Sequence, residues 1–361
     1  MLPRPILVCS RVLLRCFVSV KPVLLIAAFL VAAVAAPAQS SSPVQALLQQ
    51  GQAALDSGRF PEAVRSFEQA RQIAPENLPT IRGLLLSYLQ AGQLPQAIET
   101  GRAGVARWPQ DPDLQHYLGL TYFKMGDHVQ ALEFLRTSEK LNGSTFGTHF
   151  DIALVLLAQE QYAPAADELE HALRIDSSDT LAHVLLGRAY LNSNRTLQAI
   201  GQFETALRLD PKTPLGHYHL GFAYGSLGRN QEAIAEYQKQ LVQTPDNARV
   251  LYDFGHCLLE TGDSNTAVIH LRKATDLDPQ NADAFYDLGK GLLLNGEVEP
   301  AISALRRSIV LKPSEPSAHY QLARALDKAG NSEGARLERQ RFAELKKAQP
   351  QTGGMATGRV Q

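Results

Sequence analysis

Tyrosine recurs every 34 residues at Tyr218, Tyr252, Tyr286 and Tyr320, and His256, Lys290 and Arg324 stand four residues after the last three. Phenol rings beside cations can hold an extended peptide, or its acidic groups, through hydrogen bonds and cation–π contacts. Earlier in the chain the same columns, and one beside them, carry Leu86, Leu89, Leu120, Phe123, Phe150, Leu154 and Leu157, which suit an apolar contact. Two readings of these columns stand: they meet a ligand, or they pack neighbouring elements on one another. Ten histidines raise metal binding as a further chemistry, and His149, His183, His217 and His319 share a column of their own. The sequence holds no His-Glu-x-x-His, no Gly-x-Ser-x-Gly and no Gly-x4-Gly-Lys-Ser/Thr, the spacings that a zinc hydrolase, a serine nucleophile or a phosphate cradle requires.

The elements that must position such groups are helices. Hydrophobic residues are 45% of the chain, enough to bury a core, whereas aromatics are only 7%, a balance of Ala/Leu-rich helices rather than aromatic and β-branched strands. Of 35 Lys and Arg, four (Arg4, Arg11, Arg15 and Lys21) precede the first acidic residue, Asp56; the rest of the chain then carries 31 basic against 36 acidic groups, a net of −5. A mildly acidic body is a poor tracker of phosphates, so no nucleic-acid partner is expected.

Residues 1–22 carry only positive charge, and Val23 to Ala36 is an unbroken apolar run of 14 residues that ends near Ala36-Pro37-Ala38. That order is the pattern of a secretory signal, and the run falls short of the roughly 20 residues that span a bilayer. Residues 1–38 therefore read as a signal peptide whose removal leaves Gln39 first, or alternatively as an uncleaved anchor, the one case in which membrane contact follows. Either way the body is expected outside the cytoplasm, periplasmic or secreted. Cys9 and Cys16 lie in the leader, which leaves Cys257 as a buried thiol with no partner for an internal disulfide.

Behind the leader the chain repeats itself with a period of 34. Counting from Val44, the twentieth position is alanine in every unit: Ala63, Ala97, Ala131, Ala165, Ala199, Ala233, Ala267, Ala301 and Ala335. The eighth is small in all but one, as in Gly51, Gly119, Ala153 and Gly221, the exception being Leu85. Position 7 is apolar from Leu84 to Leu322, position 15 is often the glycine that ends a first helix (Gly92, Gly126, Gly228), and position 32 is proline in Pro75, Pro109, Pro211, Pro245, Pro279 and Pro313. Small residues at 8 and 20 let two antiparallel helices approach, so each unit is a helical hairpin. Nine units fill residues 44–349 (44–77, 78–111, 112–145, 146–179, 180–213, 214–247, 248–281, 282–315 and a capping 316–349), between a linker at 39–43 and a tail at 350–361 expected to be disordered.

The run Leu220-Gly221, Tyr224, Ala233, Tyr237 and Pro245 resembles the tetratricopeptide repeat family. The resemblance implies an all-α, right-handed superhelical solenoid of helix-turn-helix repeats whose first helices line a concave wall with positions 2, 5, 9 and 12. On that wall it places Tyr218, Tyr252, Tyr286, Tyr320, His256, Lys290 and Arg324 in the later units, and Leu86, Leu120, Phe123, Phe150 and Leu154 in the earlier ones. It implies a protein or peptide ligand; together with the secretory leader and the missing catalytic motifs, the chain is expected to be a non-catalytic scaffold of the cell envelope with no cofactor. The alternatives are a structural or anchored part of an envelope assembly machine and a companion of a neighbouring enzyme. The four histidines stand at position 4 on first helices about 10 Å apart, too far to share one zinc with ligands near 2.1 Å, so no metal is expected.

Three places depart from the pattern. Gly101 and Gly104 lie inside the second helix of unit two, where each costs about 1 kcal/mol against alanine. Either a bulky neighbour covers the bare backbone there or the helix is a hinge. Unit three ends in Asn142-Gly143 rather than proline, and unit four has Glu160 in place of the turn glycine.

Overall fold

The computed structural model describes residues 42–348, and among them there are eighteen α-helices and no strand. The leader, most of the linker and the tail lie outside the described residues. Residues 42–177 form one compact block of four hairpins: α1 (Pro43–Asp56) with α2 (Phe60–Ile73), α3 (Leu78–Gln90) with α4 (Leu94–Arg107), α5 (Pro112–Met125) with α6 (His128–Asn142), and α7 (Phe146–Ala158) with α8 (Tyr162–Ile175). A second block, from Ser178, holds α9 (Thr180–Asn192) with α10 (Thr196–Leu209), α11 (Gly216–Ser226) with α12 (Asn230–Gln243), and α13 (Ala248–Glu260) with α14 (Ser264–Leu277). It ends with α15 (Ala282–Leu294) paired to α16 (Val298–Leu311) and α17 (Pro316–Lys328) paired to α18 (Ser332–Ala348).

Local chemistry sets the helix ends. Asn77, Asp111, Asp179 and Asn281 precede α3, α5, α9 and α15, and each side chain accepts a bond from the backbone N–H three residues on, satisfying an otherwise orphaned donor. The hairpin turn needs a left-handed residue, which Gly92 supplies with φ 74°. Glu160 and Asn194 are forced into the same conformation at φ 59°, at a cost that glycine avoids. Unit six starts late: Leu215, left-handed at φ 57°, delays α11 to Gly216, after Pro214.

Packing follows the columns. All nine alanines of position 20 are fully buried, and so are Leu84, Leu118 and Ile152 at position 7. A Cβ on Gly221 would come within 2.9 Å of the Tyr237 ring, and one on Gly255 within 2.6 Å of Leu271, so the bare eighth position is filled by a large residue at position 24. Unit two inverts this arrangement, with Leu85 at position 8 and Gly101 at 24. A Cβ on Gly101 would meet Leu118 at 2.8 Å and Leu85 at 3.3 Å, and one on Gly104 would meet Ile81 at 3.1 Å. The covering neighbour, not a hinge, is what the glycines of α4 serve. In α18 only Ala335 is buried, leaving a polar outer face.

Candidate functional site

Within each block a first helix contacts its own second helix and also the first helix of the next hairpin: α1 to α3 to α5 to α7 in one block, α9 to α11 to α13 to α15 to α17 in the other. The first helices therefore form a layer, and a 34-residue period places equal positions side by side on it.

In the first block this layer, with Phe67 of α2, lines an open cavity of about 450 Å³. Its lining is amide, cation and ring: Gln45, Leu48, Gln49 and Gln52 from α1, Arg82 and Leu86 from α3, and Tyr117 from α5. These come from positions 2, 5, 6 and 9 of consecutive units. Arg82 donates from Nε to Asp111 at 2.9 Å and its Nη1 lies 3.0 Å from Asp113, so its guanidinium is already neutralised. Burial, helped by Asp113, pushes the Tyr117 hydroxyl up to about 12, and the phenol stays a neutral donor. Leu86 and Leu154 are half-buried, whereas Leu120, Phe123 and Phe150 are buried. These three correct the expectation of an apolar wall: Leu120 and Phe123 belong to the core cluster with Leu118, Leu135 and Ile152, and Phe150 stacks on Phe146 at 5.5 Å.

In the second block the tyrosines and cations meet partners that the sequence reading passed over. Tyr218 donates from its hydroxyl to Asp253 at 3.1 Å, and Arg249 donates to the same carboxylate at 2.8 Å. The His256 Nδ1 lies 2.9 Å from Asp287, which raises the imidazole pKa, and Lys290 donates to Glu260 at 2.9 Å, which lowers that carboxyl. Asp253 and Asp287 occupy position 6 and are buried; Asp151, at position 6 of unit four, likewise takes the His116 Nε2 at 2.8 Å. A buried carboxylate one unit on thus ties Tyr218, His256 and His116 to the layer. Tyr252 and Tyr286 remain half-buried, and Tyr320 and Arg324 are exposed, with the Tyr320 ring 5.5 Å from that of Phe342. Burial pushes the Cys257 thiol up to about 12, the behaviour of an inert filler.

The position-4 histidines do not meet one another. Each instead reaches position 23 of its own hairpin through Nδ1: His149 to Glu168 at 2.7 Å, His183 to Gln202 at 2.7 Å, His217 to Glu236 at 2.6 Å and His319 to Glu338 at 2.6 Å. The sequence did carry a signal for this, since only those four units, all with histidine at position 4, have Glu or Gln at position 23. His149 differs in having a second carboxylate nearby, Glu139, at 3.6 Å. Glu139, His149 and Glu168 form the one group of potential metal ligands among the described residues.

Comparison with known proteins agrees with this architecture. Family models described as tetratricopeptide repeat match residues 26–78 and 54–104, and one described as TPR repeat matches 187–228. The models for anaphase-promoting complex subunit 3 and for the middle TPR-like domain of cilia and flagella-associated protein 70 match residues 90–172 and 217–347. Among solved structures, the Cut9–Hcn1 hetero-tetramer of the anaphase-promoting complex superposes with a TM-score of 0.51 at 20% identity, over 78% of this chain and 55% of that one. YrrB, described as a TPR protein with an unusual peptide-binding site, gives 0.47 at 20% identity over 50% and 94%. A thermophilic TPR protein of Thermus thermophilus gives 0.42 at 25% identity over 50% and 98%. No curated protein sequence matches the chain.

Proposed function

The chain belongs to the tetratricopeptide repeat family, and on that premise we propose that it is a non-catalytic interaction protein of the cell envelope, holding an extended segment of a partner protein against its first helices. One observation carries the reading: an open cavity of about 450 Å³ is lined mostly by positions 2, 5, 6 and 9 of the first two hairpins, with Phe67 of α2 and Tyr117 of the third hairpin beside them. The side chains there suit a peptide. Gln45, Gln49 and Gln52 can each both donate to and accept from a backbone, while Leu48 and Leu86 offer apolar seats.

In the second block Tyr252, Tyr286, Tyr320, His256 and Arg324 keep surface, and they contribute flat rings, an imidazole and a guanidinium. Tyr218, His256 and Lys290 also tie neighbouring repeats together through Asp253, Asp287 and Glu260. The leader, with its positive start and short apolar run, is the support for export.

Site-specific photo-cross-linking in cells tests the proposal. A cross-linker at Leu86 or Tyr286 is expected to capture one and the same envelope protein, while a cross-linker at Val242, 86% exposed on a second helix, captures none of it. Equal capture from Val242, or none from the inner positions, would refute the reading. N-terminal sequencing of the exported chain is expected to begin at Gln39.

A further inference from the structure

The geometry points to a binding site for one divalent transition-metal ion, zinc foremost, formed by Glu139 of α6, His149 of α7 and Glu168 of α8. The His149 Nδ1 is 2.7 Å from Glu168 Oε2 and 3.6 Å from Glu139 Oε1, and all three ligand atoms lie within 4.8 Å of one another. Tetrahedral ligands about 2.1 Å from zinc stand roughly 3.4 Å apart, so small side-chain movements bring the three onto one ion. One imidazole with two carboxylates is a donor set that zinc accepts, and the Glu139 side chain, 21% exposed, leaves a way in for the ion and for a water as fourth ligand.

Arg136 already contacts both carboxylates and does not exclude the ion. Its Nη2 donates to Glu168 Oε1 at 2.6 Å and its Nη1 to Glu139 Oε2 at 3.0 Å, which are the outer oxygens. The inner oxygens are thereby turned towards His149, as an outer-shell group turns metal ligands. An imidazole that ligates a metal is neutral, so in the ligating state two carboxylates against one guanidinium leave one negative charge in excess in a seam where His149 is 3% exposed. A cation in the centre answers that charge.

One further observation singles out this place. The position of Glu139, the twenty-eighth of the unit preceding a histidine unit, is otherwise Leu173, Leu207 or Ile309, so the second carboxylate departs from the repeat only where it faces His149.

The test uses the purified full-length chain, stripped with a chelator and titrated with zinc chloride by calorimetry, with cobalt chloride as a spectroscopic probe. One zinc per chain is expected, with tetrahedral cobalt absorption, and zinc should raise the unfolding temperature. Glu139→Leu restores the residue type of the other repeats and should keep the fold while weakening zinc binding at least about tenfold and abolishing the cobalt bands. Glu139→Gln should weaken it likewise without changing side-chain size. Glu236→Gln, in the equivalent pair that lacks a third ligand, should leave binding unchanged. No zinc bound at micromolar concentration, or equal affinity in Glu139→Leu and the unaltered chain, would overturn the site.

Discussion

The second and seventh repeats fill the same space in opposite ways. In the seventh, Gly255 leaves room on α13 and Leu271 of α14 fills it; in the second, Leu85 of α3 fills the room left by Gly101 of α4. What the repeat keeps is the volume at the crossing of two helices, since a close-packed interior responds to total volume and shape. Their inner faces differ as well. Arg82 is tied to Asp111 and Asp113, a pair with a permanent charge, whereas His256 is tied to Asp287 by a group that titrates.

The largest expected effect breaks the inverted pair. Leu85→Gly should cost roughly 3–6 kcal/mol of unfolding free energy, because a buried leucine is lost and a glycine is added inside a helix. Adding Gly101→Leu should recover at least about 1 kcal/mol, measured by a double-mutant cycle in urea; strict additivity would disprove the exchange. Next comes Gly101→Ala, expected to lose about 1 kcal/mol because its Cβ meets Leu118, despite alanine's better helix propensity. Gly201→Ala, in a helix position with nothing within 4 Å of the new methyl, should instead gain somewhat less than about 1 kcal/mol.

The smallest effect concerns pH. Asp287 raises the folded His256 pKa above its ordinary 6.5, so the protonated pair adds stability that is fully present below 6.5 and is lost as pH rises through the raised value. Half-exposure of His256 keeps the contribution small. The stability difference between the unaltered chain and His256→Gln should therefore be constant below about pH 6 and shrink as pH rises above 6.5, while that for Arg82→Gln stays constant. A parallel shift of both curves would sink the distinction.

Much of this was open to sequence reading because it is local. The alanine column, the turn glycines and the capping residues act within one hairpin, and the alanine recurs in all nine units. The glycines of α4 were ambiguous, since a bare position looks the same whether it bends or is covered, and only the Leu118 and Leu85 contacts decide between the two. The wall was half legible. The tyrosine and cation columns stand out by period, but the buried Asp151, Asp253 and Asp287 that engage His116, Tyr218 and His256 act across neighbouring repeats, where sequence shows only separate columns.

By itself the sequence determined the all-helical hairpins, their length and their close approach, because helix propensity, capping and small-residue spacing work over a few residues. The tertiary structure alone decided which side chains keep surface for a partner. Leu120, Phe123 and Phe150 are buried, Tyr252 and Tyr286 half-buried, and Tyr320 exposed, outcomes set by residues about a repeat away. It alone also brought Glu139, from the preceding repeat, to the His149–Glu168 pair. Burial and charge pairing are properties of the packed neighbourhood, and a period of 34 fixes which columns are neighbours without fixing what each one finds there.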